Sequence, residues 1–374
     1  MIPSLEFRQN VAAQLTAASR RVPTLTAFVG LDGFVDEILH VVDKRQSVTQ
    51  YDRVRTIAAF AQRITGAAGQ STNIELVNVM TKLGGNGPIM ANALASFGMK
   101  VSYLGSLGYP SLHPVFNELA QRAEVATLCG PGLTDALEFD DGKLMVGKHY
   151  TLGEVNWNNI LTRFGREEFT ARFASSDLVA FVNWTMLPFM SDIWESIQRE
   201  ILPSIRGARR KIFFDLADPE KRVHADIRRA LELIRRFESH FDVILGLNEK
   251  EALEVSAVLG LSRTSDSPEG LTELSVEIQK RTGVNTLIVH PVSYALAVTA
   301  GKADLVEGPL CTHPKITTGA GDNFNSGFCL GKLLGLDNAA AVLAGCSASG
   351  HYVRTAHSPT LQDLAHLMQQ WPTA

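Results

Sequence analysis

Residues 316–335 read ITTGAGDNFNSGFCLGKLLG. Two threonines and a Gly-Ala-Gly run lead straight into an apolar, small-residue stretch predicted as a helix over 320–335. Residues without bulky side chains let an anion approach the backbone closely. The first N–H groups of a helix lack intrahelical partners, and the helix dipole puts partial positive charge there. The amides of Gly319, Ala320 and Gly321 can therefore cradle an anion. Asp322 follows at once. Alone it reads as an N-cap or first-turn residue. Beside a phosphate cradle it is placed to accept a proton from an attacking hydroxyl. Phosphoryl transfer asks a protein for positioning, charge neutralisation and a base, and little else. Gly327 and Gly331 let this helix lie close to a neighbour in either reading.

Outward from this segment the chain alternates. Runs rich in β-branched and aromatic residues predict strands: LTAFVG (25–30), KVSYLGS (100–106), DLVAFVN (177–183), KIFFDL (211–216), DVILGL (242–247), TLIVHP (286–291) and YALAVT (294–299). Most are near-continuously apolar, as strands buried on both faces of a parallel sheet are. Helical stretches are predicted between and after them at 87–98, 111–122, 189–201, 220–239, 248–259, 269–282, 337–354 and 360–370. This is the pattern of a doubly wound α/β sheet covered by helices. Residues 37–50 and 133–152 break it with polar alternation and, at Asp141-Gly142, a hairpin turn signal. They predict a small sheet covering a site. Residues 66–73 and 263–269 read as surface loops.

The 374 residues are 45% hydrophobic and 20% charged, enough apolar material for a large core. A formal net charge of −4 gives no global field for nucleic acid or an anionic membrane. The interleaved charges of 220–239 read as a solvated face. No apolar run reaches the ~20 residues of a membrane span, and the N-terminus has no signal-peptide pattern. Cys129, Cys311, Cys329 and Cys346 are scattered, which suits reduced thiols in a cytoplasmic protein. His290, His351 and His357 match no zinc spacing.

T-T-G-A-G-D-x-F at 317–324 resembles the C-terminal signature of the PfkB-type (ribokinase-like) carbohydrate kinases. LGGNGPIMANALASFGMKVSYLGSLG, residues 83–108, resembles their N-terminal signature. The resemblance implies a three-layer α/β/α doubly wound, mostly parallel sheet with a small β lid. The lid would be 37–50 and 133–152, and the large domain 1–36, 51–132 and 153–374. It implies an ATP- and Mg²⁺-dependent kinase for a small sugar or nucleoside, with Asp322 as base, 319–321 as anion hole, and a possible homodimer through the lid. In VGLDGFVDEI, Asp36 matches the acidic sugar ligand and Asp32 lies close by; carboxylates past the first strand can bond vicinal hydroxyls. Gly85, Asn86 and Asn183 would join them. Thr318, Gly321, Asn248 and His290 fall on the nucleotide side. GLNEKEA (246–252) resembles an N-x-x-E motif, implying that Asn248 and Glu251 organise Mg²⁺. Read from the residues alone they are a helix-capping pair, and the two roles are compatible.

Four positions depart from the family pattern. Ile89 replaces an Asn that touches the sugar. Ile316 replaces an Asp used in binding a monovalent cation. HPVSYA (290–295) replaces a small-residue nucleotide loop, and Ala356 replaces a Gly near the adenine wall. A non-catalytic sugar- or nucleotide-binding protein and a nucleoside kinase of the same fold stay open as alternatives. A dinucleotide-dependent oxidoreductase lacks its G-x-G-x-x-G, and GAAGQST (66–72) lacks the Lys of a P-loop. Ribose, fructose derivatives, ketodeoxygluconate, nucleosides and inositols are all compatible acceptors.

Overall fold

The apolar runs pair into one nine-stranded sheet in a computed structural model that describes residues 2–372. The strands are β1 (Thr26–Leu31), β2 (Phe34–Arg45), β3 (Tyr51–Arg53), β4 (Leu76–Gly84), β5 (Lys100–Gly105), β6 (Glu124–Thr127) and β7 (Gly132–Phe139). They continue with β8 (Gly142–Lys148), β9 (Leu178–Phe181), β10 (Arg210–Asp215), β11 (Phe241–Leu247), β12 (Thr286–Val289), β13 (Tyr294–Thr299) and β14 (Lys302–Glu307). The large sheet runs β14-β13-β12-β11-β10-β9-β1-β5-β6. β13 runs antiparallel to both of its neighbours, β12 and β14, and every other pairing is parallel.

From β1 the chain fills one edge through β5 and β6, then returns beside β1 as β9 and fills the other edge. The order reverses between β1 and β9, and open α/β sheets place their sites outside the carboxyl ends of strands at such a switch point.

The helices are α1 (Leu5–Ala17), α2 (Ile57–Gly66), α3 (Asn86–Ser96), the single turns α4 (Asn117–Ala120) and α5 (Trp157–Asn159), and α6 (Arg166–Ser175). They continue with α7 (Met190–Glu200), α8 (His224–Arg236), α9 (Glu249–Val258), α10 (Pro268–Thr282), α11 (Ala320–Leu334), α12 (Asn338–Thr355) and α13 (Leu361–Gln369). Alternate strand residues point to opposite faces. Ala27, Val29 and Phe213 enter the core under α1, α3 and α11 to α13. Phe28, Ile212 and Phe214 enter the core under α6 to α10. The layers are therefore helix, sheet, helix.

The second sheet has the order β3-β2-β7-β8, with β4 on the other flank of β2. It is larger than 37–50 and 133–152. Tyr51–Arg53 and Leu76–Gly84, expected in the large domain, belong to it. β4 escaped notice because Leu76, Val79 and Met80 are exposed, so its apolar positions do not alternate with burial. The hairpin turn is Asp140-Asp141, and Gly142 opens β8. One face of this sheet carries Leu39, Val41 and Leu137 against Phe60 of α2.

The helix expected at 111–122 is only a 3₁₀ turn at 114–116 and α4. Pro114 holds His113 extended, which prevents an earlier start. Helix 220–239 is shortened to 224–236 between two 3₁₀ turns. Its Arg229 pairs with Asp192 and Glu195, and Arg236 with Glu232. β6, β14, α1, α2 and α6 were not anticipated. β6 is a four-residue edge strand, and α1 and α6 show little amphipathic contrast.

Gly327 and Gly331 are where α11 meets α12. A Cβ at Gly327 would stand 2.6 Å from the Ala344 carbonyl oxygen, and one at Gly331 2.8 Å from Ala341 Cα. Helix propensity favours Ala by ~1 kcal/mol, but a backbone contact that close cannot yield. Gly327→Ala is expected to lower stability by about 1–3 kcal/mol in denaturant titration. Ala356, by contrast, caps α12 at φ 64° with its N–H on the Tyr352 carbonyl. Left-handed backbone penalises a Cβ, so Ala356→Gly is expected to raise stability by about 1 kcal/mol in the same assay.

Candidate active site

Gly319 starts α11 in a left-handed conformation, φ 93°. A Cβ there would also meet the Tyr352 hydroxyl at 3.0 Å and Ile89 at 3.2 Å. Conformation and space both demand glycine. The Tyr352 hydroxyl donates to the Thr318 carbonyl at 3.1 Å and fixes the turn. Ile89, where an amide was expected, packs on the turn instead. The cradle is narrower than the sequence suggests. The Ala320 N–H donates to the Thr317 carbonyl at 3.1 Å, which leaves the N–H groups of Gly319 and Gly321 for an anion.

This turn opens on a cavity of about 750 Å³ lined by Thr317, Ala320, Gly321 and Phe324 and by residues 290–295. His290 leans over the turn. Its Cε1 lies 3.1 Å from where a Gly321 Cβ would be, and its ring packs on Phe324 at 5.0 Å between centroids. Burial lowers His290 to about 4, so the ring is neutral near pH 7. The HPVSYA loop thus fills with an imidazole the space that small residues would leave open.

Asp322 is buried in the first turn of α11, and the Asn86 side chain donates to its Oδ1 at 3.0 Å. Burial raises Asp322 to about 8; the Asn86 bond opposes the shift, and the charges of Asp32 and Glu251 add to it. Asp215, the last residue of β10, is also raised by burial and by Glu251 and Asp322. Asn325 of α11 donates to Asp215 Oδ2 at 3.1 Å, while Asp215 Oδ1 has no partner. Asp215 and Asn325 were missed by sequence reading. The signal was available: KIFFDL places an Asp at the carboxyl edge of a strand, where sites form.

Asn248 and Glu251 realise the capping pair. Asn248 Oδ1 accepts from the Glu251 N–H at 2.9 Å, and Glu251 Oε2 from the Asn248 N–H at 2.8 Å. Glu251 Oε1 accepts from the Asp218 N–H at 3.0 Å. Burial nevertheless raises Glu251. Among the described residues no three His, Cys, Asp or Glu side chains form a metal cage.

Asp32 is fully buried. Its carboxylate accepts from the Asn183 side chain (2.8 Å), the Gly87 N–H (2.9 Å) and the Tyr103 hydroxyl (3.2 Å). Burial still raises it to about 6. Asp32 and Asn183 therefore tie the Gly84–Gly87 loop to the ends of β1 and β9. Asn183 does this at φ 60°, and its Oδ1 has no partner. Gly85, at φ 98°, caps the start of α3, and a Cβ there would approach Asp32 Oδ2 to 2.9 Å. Asp36 lies within β2 and faces Lys82 on β4 and Thr134 on β7. Its carboxylate occupies the space over Gly84, where a Cβ would meet Oδ2 at 2.5 Å.

A family model described as prokaryotic ketohexokinase matches residues 7–371. A ketohexokinase of Haloferax volcanii is 28% identical over 337 residues, 90% of this chain and 88% of that one. Adenosine kinase from Sinorhizobium meliloti superposes with a TM-score of 0.62 at 19% identity, covering 92% and 98% of the two chains. Arabidopsis thaliana ribokinase complexed with ribose and ATP gives 0.62 at 14% identity, covering 92% and 98%. The two structural likenesses establish the ribokinase-like fold.

Asp322 gives a pH signature. Its folded value of about 8 lies above the ordinary 3.8. The protonated group's contribution to stability is complete below pH 3.8 and is lost as pH rises through about 8. An amide loses nothing over that window and still accepts from Asn86. The melting temperature of Asp322→Asn is therefore expected to gain on the wild type steadily from pH 5 to pH 8. A constant difference across that range would refute the shift.

Proposed function

The chain belongs to the prokaryotic ketohexokinase family and is a carbohydrate kinase, and from that premise we propose that it transfers the terminal phosphoryl group of ATP to a hydroxyl of a ketohexose. The observation that carries this reading is Asp322, held by Asn86 at 3.0 Å beside a helix start that opens on the cavity. In the proposed step, Asp322 takes the proton from the acceptor hydroxyl. The oxygen forms a bond to the terminal phosphorus as the bond to the bridging oxygen breaks, and ADP leaves with that electron pair. The N–H groups of Gly319 and Gly321 stabilise charge on the transferring group. The cavity beyond the turn takes the nucleoside, with neutral His290 and Phe324 beside the phosphate end.

The donor set suits Mg²⁺. Asp215, Glu251 and Asp322 are three buried carboxylates; the charge of Glu251 raises both of the others, that of Asp322 raises Asp215, and Asp215 Oδ1 lacks a partner. Such a set calls for a cation. Magnesium keeps several waters and shares phosphate oxygens, so a full protein cage is not required. Asp215 and Glu251 would hold its waters, with Asn248 fixing Glu251; the ion would supply charge neutralisation on the phosphates. The small sheet acts as a lid that keeps water from competing with the acceptor.

Asp322→Asn is expected to lower kcat for ATP-dependent phosphorylation of fructose by about 10²–10⁴-fold, read by ADP release. Near-wild-type turnover would remove Asp322 from the role. In the wild type, kcat/KM is expected to rise with pH toward about 8, where Asp322 of the free protein loses its proton.

A further inference from the structure

Lys82 on β4 is the register partner of Asp36 on β2, and Thr134 on β7 is its partner on the other side. Cross-strand partners share a face, so the three form one row, and the Thr134 side chain hydrogen-bonds Asp36. This face overlooks the crevice. Phe34, two residues before Asp36 and on the same face, packs its ring on His149 at 5.2 Å. His149 in turn feels the charge of Lys221, in the turn that follows β10. The opposite face of the sheet is closed by the packing of Leu39, Val41 and Leu137 on Phe60.

The row also stands near the base. Asp36 lies over Gly84. Two residues on, Asn86 holds Asp322, and the Cα atoms of Gly84 and Asn86 are at most ~7 Å apart.

Lys82 is half-buried, yet its ammonium forms no hydrogen bond or ion pair among the described residues. Its neighbour Lys143 pairs with Glu138 at 3.7 Å. Burial disfavours the charged form of Lys82, and Asp36 offsets this only in part. A desolvated cation without an acceptor is costly, and an oxygen brought by a ligand would offset that cost. An ammonium has donors only, whereas a carboxylate only accepts. Side by side they take the two ends of a polyhydroxy compound's hydrogen-bonding pattern.

We propose that Lys82 is a sugar-binding residue whose ammonium donates to a sugar oxygen adjacent to the hydroxyl that Asp36 accepts. This rests on the kinase reading for its setting, but binding and transfer can be measured apart. Calorimetry with fructose in the absence of nucleotide is expected to show Lys82→Met binding about ten- to hundredfold more weakly than wild type. The KM for fructose should rise by the same factor while the KM for ATP stays within about twofold. Lys82→Arg should recover part of the loss, and Lys143→Met should bind fructose as the wild type does. Melting curves verify folding, with Lys82→Gln as the second variant if the methionine variant does not fold. Unchanged fructose binding in Lys82→Met, an equal loss in Lys143→Met, or no fructose binding by the wild type would each overturn the proposal. Fructose binding that depends on Lys82 in a wild type that transfers no phosphate would leave this proposal standing and defeat the kinase reading.

Discussion

A carboxylate buried among other carboxylates at the start of a helix is the constraint around which this protein is arranged. Asp322, Asp215, Glu251 and Asp32 all lie below a tenth exposed. Charging Asp322 alone against burial and its neighbours costs on the order of 5 kcal/mol. The hydrogen bonds that hold the cluster come from neutral donors. Asn86 serves Asp322, Asn325 serves Asp215, Asn183 serves Asp32, and backbone N–H groups serve Glu251. Neutral donors orient a carboxylate without cancelling its charge. The cluster relieves its charge by keeping protons; in the proposed kinase reading a metal-bound nucleotide would take their place.

Holding that cluster in place requires close packing on every side. α11 can bring Asp322 and Asn325 to the strand ends only because Gly327 and Gly331 let it touch α12 backbone to backbone. The Gly84–Gly87 loop reaches Asp322 only because Asp32 and Tyr103 lie where side chains at Gly85 and Gly87 would be. A Cβ on Gly87 would meet the Tyr103 hydroxyl at 2.3 Å and Asp32 Oδ1 at 2.4 Å. Most glycines of both sequence signatures are thus explained by contacts, with conformation as a second reason at Gly85 and Gly319, whereas Gly98 is explained by its φ of 98° alone. Ile89 fits the same scheme: it packs against Gly319 and stiffens the turn that holds Asp322.

Much of the large sheet was legible because its strands are buried on both faces. LTAFVG, DVILGL and TLIVHP are apolar nearly throughout, and no other local structure explains such runs between turn signals. The small sheet was half legible. β7 and β8 carry a turn signal, whereas β4 exposes its apolar residues and carries its one relevant cation at Lys82. Asp36 and Lys82 are 46 positions apart and become neighbours only through strand register. The same limit applied to Asp32. Its sequence neighbourhood reads as a ligand position, and only the packing of Asn183, Gly87 and Tyr103 around it reveals that its oxygens are taken.

By itself the sequence determined the layer order, the glycine-rich helix start at 317–321 and the carboxylate that follows it. These depend on residues adjacent in the chain, where spacing and side-chain size carry the information. Tertiary structure decided which carboxylates share a charge, which polar atoms are left without partners, and which face of the small sheet looks on the crevice. Burial and Coulomb energy act through space over a few ångströms, and the order of residues along a chain does not record which distant segments come within that range.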